Sequence, residues 1–284
     1  METSFNGVET GRKSVCGASA LMRSDAAVNS LINRYLIPLA LPIVIIAFWQ
    51  YVCDSRSIPM LLLPSPARIA GAFVKLIADR NLIDNLTISL LRVGQGYCLG
   101  ASLGITLGCF MGLFPIFERM MSLITGILRP IPIMAWVPLM ILWVGIGELS
   151  KIILIAIGTF WAVLVSVING IKNTDRKYLE VAYIFKKNKI TLMRKVIFPA
   201  MLPFVFSGLR IGIDNAWRSV VGAEVVASIS GVGFMIQFAR EVSRTDIMFV
   251  GIFTVGLVGI CIDQLLKFIQ KKLLKWDQTL GSSV

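Results

Sequence analysis

The chain contains no histidine. That absence removes imidazole acid–base catalysis, serine–histidine and cysteine–histidine dyads, and histidine-ligated metal together. Its five cysteines, Cys16, Cys53, Cys98, Cys109 and Cys261, show no C-x-x-C spacing. Cys98, Cys109 and Cys261 lie in apolar runs, where a thiol behaves as a small hydrophobe, so neither a disulfide framework nor a zinc site is expected. No G-x-x-x-x-G-K-[ST] run occurs, and with it the usual phosphate-cradling nucleotide loop is missing. Charge is scarce as well: 15% of residues are charged, where soluble domains carry about a quarter.

What remains is apolar. Hydrophobic residues make up 56% of the 284, mean hydropathy is +0.78, and the apolar residues fall in long blocks. Together these predict an all-α, polytopic membrane protein. The formal net charge of +12 suits polybasic surfaces facing anionic lipid. No groove of interleaved aromatic and basic residues accompanies it, and no nucleic-acid partner is expected.

A helix of about 20 apolar residues crosses a bilayer, and six candidate spans are present. They run from about Tyr35 to Cys53, Leu90 to Phe114, Met120 to Val144, Ile152 to Gly170, Phe204 to Ser228 and Met248 to Ile269. The first exceeds a signal peptide's apolar core and is followed by no clear cleavage site, so it reads as a retained anchor. Placing both termini inside puts 17 basic residues on inner segments and eight on outer ones, so both termini are expected in the cytoplasm. Residues 1–34 and 271–284 are then cytoplasmic tails around a transmembrane domain at 35–270. Between spans one and two, Ile69, Phe73, Leu76 and Ile77 recur at helical spacing and predict a short amphipathic helix at the outer interface.

Three features within the spans call for explanation. Gly96, Gly100, Gly104, Gly108 and Gly112 recur every four residues in span two. Five glycines in register weaken a helix by about 1 kcal/mol each, yet small residues let membrane helices approach closely. The stripe is a packing face within the bundle or a sliding or dimer-forming face. Span five carries Arg210, Asp214 and Arg218 four residues apart, with Trp217 and Glu224 near the same face. Such charges form a self-neutralising ladder or line a polar pathway for an anion or zwitterion. In span three, Arg129 with Pro130 and Pro132 breaks the helix, as a plain kink or as a pathway lining.

The inner stretch between spans four and five, residues 171–203, is strongly basic. Thr174 is a plausible N-cap for one short helix, "KKNK" makes a polar corner, and "ITLMRKVIF" reads as a second short helix ending at Pro199. Here the sequence resembles the loop of ATP-binding-cassette importer permeases, whose pattern is E-A-A, three residues, Gly, nine residues, I-x-L-P. Glu180, Val181 and Ala182 take the first three places; Val196, Phe198 and Pro199 take the I, L and P places with spacing intact. The glycine place is held by Lys186. The segments "LLLPSPARI", "RPIPIMAWVPLMILWVGIGELSKI", "GLRIGIDNAWRSVVGAEVVASISGVGFMIQFAR" and "TDIMFVGI" extend the resemblance over about residues 60 to 270. They are similar to permeases for aliphatic sulfonates, taurine and nitrate.

The resemblance implies a six-helix permease bundle in the bacterial inner membrane, paired with a second permease copy. It also implies a cytoplasmic ATP-binding subunit docked at 171–203 and an extracytoplasmic substrate-binding protein. The chain itself would hold no cofactor and catalyse nothing, ATP being bound by the partner. Arg129, Arg210, Asp214, Trp217, Arg218 and Glu224 are the candidate pathway residues. An ion-coupled secondary transporter or channel is the main rival, and relatives also carry vitamin precursors. An intramembrane enzyme lacks a visible nucleophile–base pair, and a regulatory or scaffold subunit stays open.

Overall fold

In lipid every backbone N–H and C=O has to be satisfied within its own segment, so long apolar blocks fold as helices. The computed structural model describes residues 37–55, 59, 61–173 and 189–273, and every regular element among them is helical. The chain divides into two units at residues 68 and 69. The first holds α1 (Ile37–Asp54), an apolar helix of 18 residues. It also holds the start of α2 (Pro66–Ala78), where proline at the first position costs no helical hydrogen bond. α2 is the amphipathic helix expected between spans one and two; Ile69 and Leu76 are buried on it.

The second unit continues with α3 (Asn81–Leu113), α4 (Pro115–Leu128), α5 (Ile133–Val144) and α6 (Glu148–Lys172). After the undescribed residues come α7 (Lys189–Leu192), α8 (Phe198–Ala227), α9 (Val232–Glu241) and α10 (Thr245–Leu273). Four helices are long and apolar enough to cross a membrane: α3, α6, the continuous stretch Ile190–Ala227, and α10. α4 and α5 qualify only as a pair, bent by 97°. The described residues thus hold four such helices, or five counting the pair, where the sequence suggests six; α1 is the shorter apolar helix that makes the difference.

The core is a column shared by α3, α6 and α8. Val163 and Val167 of α6 meet Ala101 of α3 and Met201 and Val205 of α8. One level along, Ile155 meets Val93, Ala216, Trp217 and Val220. The glycine stripe is what brings α3 this close. A Cβ on Gly96 would stand 2.6 Å from Ile155 Cβ, and one on Gly108 would stand 2.8 Å from Val167 Cβ. All five stripe glycines face α6 in this way, so the stripe is a packing face and α6 fills it. On the other side of α6, Gly208 and Gly212 of α8 lie against Ser166, Val163 and Thr159. By contrast α4 buries no residue and α5 only Val137 and Met140.

Two helix boundaries differ from the sequence reading. Span two starts at Asn81, nine residues before the apolar run, and Asn85 Nδ2 donates back to Asn81 O at 2.8 Å in its first turn. At 1.5 Å per residue its 33 residues reach about 50 Å, more than the bilayer core needs. The second short helix expected to end at Pro199 instead runs straight into span five. Pro199 cannot donate to Lys195, and the chain absorbs this with a π turn at Met193–Ile197, where Phe198 N–H bonds to Met193 O.

Candidate functional site

Two prolines flank the break in the α4–α5 pair. Arg129 N–H still bonds to Thr125 O at 3.1 Å, Pro130 has no donor, and Ile131 N–H turns back to Leu128 O at 3.3 Å. The bend opens two cavities against α6 and α8. The larger, about 650 Å³, extends from Glu118 and Lys172 past Thr125 to Arg129 and Trp161. The smaller, about 350 Å³, lies beyond the bend between Met134, Gly158, Asn215 and Arg218. Arg129, Pro130 and Trp161 line both. The broken helix therefore lines these two cavities. A third cavity of about 510 Å³, between α3, α4, α5 and α6, is lined almost wholly by apolar side chains.

Polar groups in these cavities are partly spent. Lys172 and Glu118 form an ion pair at the far end of the larger one. Asn215 Nδ2 donates to Gly158 O at 3.4 Å, and Ser219 Oγ donates to Asn215 O at 2.7 Å. Arg218 pairs with Asp214 at 2.7 Å. The remaining charges of span five go elsewhere. Arg210 pairs with Asp263 of α10 at 2.7 Å rather than with Asp214, and Lys267 joins the same carboxylate at 2.8 Å. Trp217 is buried in the core and its indole N–H donates to Val255 O at 3.0 Å. Of the six candidate pathway residues, Arg129 and Arg218 line these two cavities and Arg210, Asp214, Trp217 and Glu224 do not.

Glu224 sits in a buried polar knot at the opposite end of the bundle from Lys172. Its carboxylate accepts from Ser89 Oγ at 2.8 Å, Gly233 N–H at 2.9 Å and Arg92 Nη1 at 2.7 Å. The Arg92 guanidinium, only 3% exposed, also forks onto Glu148 at 2.6 Å through each of Nε and Nη2, and donates to Ser230 O at 2.7 Å. Lys151, equally buried, reaches Glu148 at 3.0 Å. The loop after α8 is sewn to α3 by Asn85, which accepts from Gly231 N–H at 2.7 Å, and by Ser89, which accepts from Val232 N–H at 2.9 Å. Gly231 has φ 107° and faces the Glu224 carboxylate, so only glycine fits there. Glu224 stands out in the sequence as a charge in an apolar run. Arg92 and Glu148 do not, because they lie at the ends of their runs, where charge is ordinary.

Of the coupling-loop residues, Glu180, Val181, Ala182 and Lys186 lie outside the described residues. Val196 belongs to the π turn, and Phe198 and Pro199 open α8 with Phe198 exposed. Among the described residues no group of histidine, cysteine, aspartate or glutamate could hold a metal ion.

Residues 102–275, which include the bent, proline-broken helix pair, match the family described as the binding-protein-dependent transport system inner membrane component. The chain belongs to that family. It is thus a multi-pass importer permease subunit of the ATP-binding-cassette type, non-catalytic, with the ATPase on a separate chain. It is 40% identical over 238 residues, 84% of this chain and 86% of the other, to the aliphatic sulfonates transport permease protein SsuC of Bacillus subtilis (strain 168). It is 31% identical to the taurine transport system permease protein TauC of Escherichia coli (strain K12), covering 82% of this chain and 86% of that one. Its fold is like that of a chain of the MetNI methionine ABC transporter in an inward-facing conformation. That likeness has a TM-score of 0.57 and 18% identity, over 65% of this chain and 92% of the other.

Proposed function

We propose that this permease, paired with a second copy, forms the translocation pathway for a small solute that carries an anionic sulfonate or nitrate group, of the sulfonate, taurine or nitrate type. The observation that carries this reading is the convergence of Arg129, from the α4–α5 bend, and Arg218, from α8, on one 350 Å³ cavity beside Trp161 and Asn215. Charged groups at membrane depth are costly and tend to face a pathway or one another. A guanidinium is also the side chain best shaped to meet a sulfonate or nitrate oxygen pair. The sulfonate and taurine names of the relatives support the same solute class.

In this reading the chain crosses the membrane six times, α1 supplying one crossing and the bent pair another, with both termini in the cytoplasm. The loop at 171–203, with Glu180, Val181, Ala182, Lys186, Val196, Phe198 and Pro199, docks on the cytoplasmic ATPase. A binding protein delivers solute at the end of the bundle that carries the Arg92 knot. ATP binding on the partner then biases a two-state opening of the pathway.

The test is purification of the tagged permease in mild detergent with mass identification of co-purifying chains. Uptake of ethanesulfonate into proteoliposomes holding the recovered complex and its binding protein follows. A co-purifying chain with a nucleotide-binding loop and ATP-dependent uptake is the expected result. Recovery of the permease alone, with uptake that needs no ATP, would make it a secondary transporter.

A further inference from the structure

Arg129, Pro130 and Trp161 line both cavities at the α4–α5 bend, and we read the two as one passage with its waist at these residues. Three basic side chains follow one another along it: Arg218 in the smaller cavity, Arg129 at the waist and Lys172 at the end of the larger. Two of them are compensated. Arg218 holds Asp214 at 2.7 Å and Lys172 holds Glu118. Arg129 forms no ion pair with any described residue, although its side chain is exposed to the passage from the end of α4. The carbonyl end of α4 offsets part of its charge, since a helix C-terminus carries a partial negative charge. Among the described residues no carboxylate does.

We propose that Arg129 is the specificity-determining cation of the passage, and that its uncompensated charge admits monoanions and rejects zwitterions that carry an ammonium. This rests on the anion-pathway reading above and deepens it. An anion at the waist meets a guanidinium free to fork onto two of its oxygens. A zwitterion brings its ammonium to the same waist, where both nearby carboxylates are already engaged, so it meets repulsion without a counter-charge. Trp161 and Pro130 offer an apolar wall on which a short alkyl chain can lie. The permease then selects among solutes after the binding protein has released them, favouring an alkanesulfonate over taurine.

Local charge at the waist can be read without knowing the cargo. The five native cysteines are replaced, and Thr125→Cys is introduced one helical turn from Arg129, where it lines the larger cavity. The detergent-purified complex reacts with anionic 2-sulfonatoethyl methanethiosulfonate and, separately, with cationic 2-(trimethylammonio)ethyl methanethiosulfonate. Each rate is referred to that of a small free thiol. Adding Arg129→Gln should lower the anionic-to-cationic rate ratio by about threefold or more, the scale of one unit charge nearby in a partly screened cavity, while Arg129→Lys keeps it. A smaller fall overturns the proposal.

Ethanesulfonate and taurine uptake separate the two readings. Wild type that transports neither removes the anion-importer reading, and the proposal with it. Wild type that carries both equally, with Arg129→Gln doing the same, removes the proposal and leaves the importer reading standing.

Discussion

Arg92 keeps a guanidinium buried in a membrane helix because each of its donors is spoken for, by Glu148, Glu224 and the 228–230 turn. Removing one member strands the others. Glu224→Ala leaves Arg92 without its buried counter-charge and should destabilise the fold by about 3–5 kcal/mol, read as a large loss of thermal stability in detergent. Ser89→Ala removes one hydroxyl that both donates to Glu224 and accepts from Val232, and should cost only about 1–3 kcal/mol. Arg218 differs in kind, with a side chain 75% exposed to the passage and paired only along its own helix. Arg218→Ala should leave stability and ATPase co-purification unchanged. Ethanesulfonate uptake should fall about tenfold or more, the equivalent of one charge-assisted hydrogen bond. At this scale the sequence reveals charges and hides partners. Glu224 announces itself inside an apolar run, but Arg92 is 132 residues away and Glu148 76, and no local periodicity joins them. Arg210 shows the same limit: Asp214 lies at helical spacing from it, yet Asp263 of another helix takes the contact.

Among the elements, the stripe on α3 separates two glycines only two residues apart. Gly94 has open space where a Cβ would go, whereas the Cβ of Gly96 would press on Ile155. Gly94→Ala should therefore be neutral or stabilise by about 0.5–1 kcal/mol through helix propensity alone. Gly108→Leu would drive a side chain into Val167 and Leu164. It should abolish recovery of monodisperse protein, as checked by size-exclusion chromatography after detergent extraction. The stripe is plain in the sequence, since a period of four is a helical face. What occupies that face is not, because small residues suit a second copy as well as a neighbouring helix; the apolar side of α6 settles it. Breaks in helices are legible unevenly. Pro130 and Pro132 mark a true bend, but Pro199 and Pro203 lie in a helix that continues, a widened turn taking up the donor missing at Pro199.

For the whole molecule the family and the all-α architecture are legible from composition and four quoted segments, and the spacing at 171–203 is what proposes a docking loop. Glu180→Lys reverses the one acidic residue between Asp175 and Asp214. It should dissociate the ATPase, with at least about tenfold less partner recovered in the detergent pull-down, while membrane insertion of the permease is unchanged. The π turn carries a mechanical consequence. It splices α7 to α8, so that Ile190–Ala227 is a single 38-residue rod, about 57 Å long at helical rise. A push at its near end cannot be lost in a flexible joint. Nor can the rod slide alone, since α6 grips its middle through glycine contacts and the Arg92 knot ties its far end to α3. The three helices must tilt as a frame. In the function proposed above, compliance would then fall to the lightly packed α4–α5 hinge, and a stroke of the ATPase would become a change in width at Arg129.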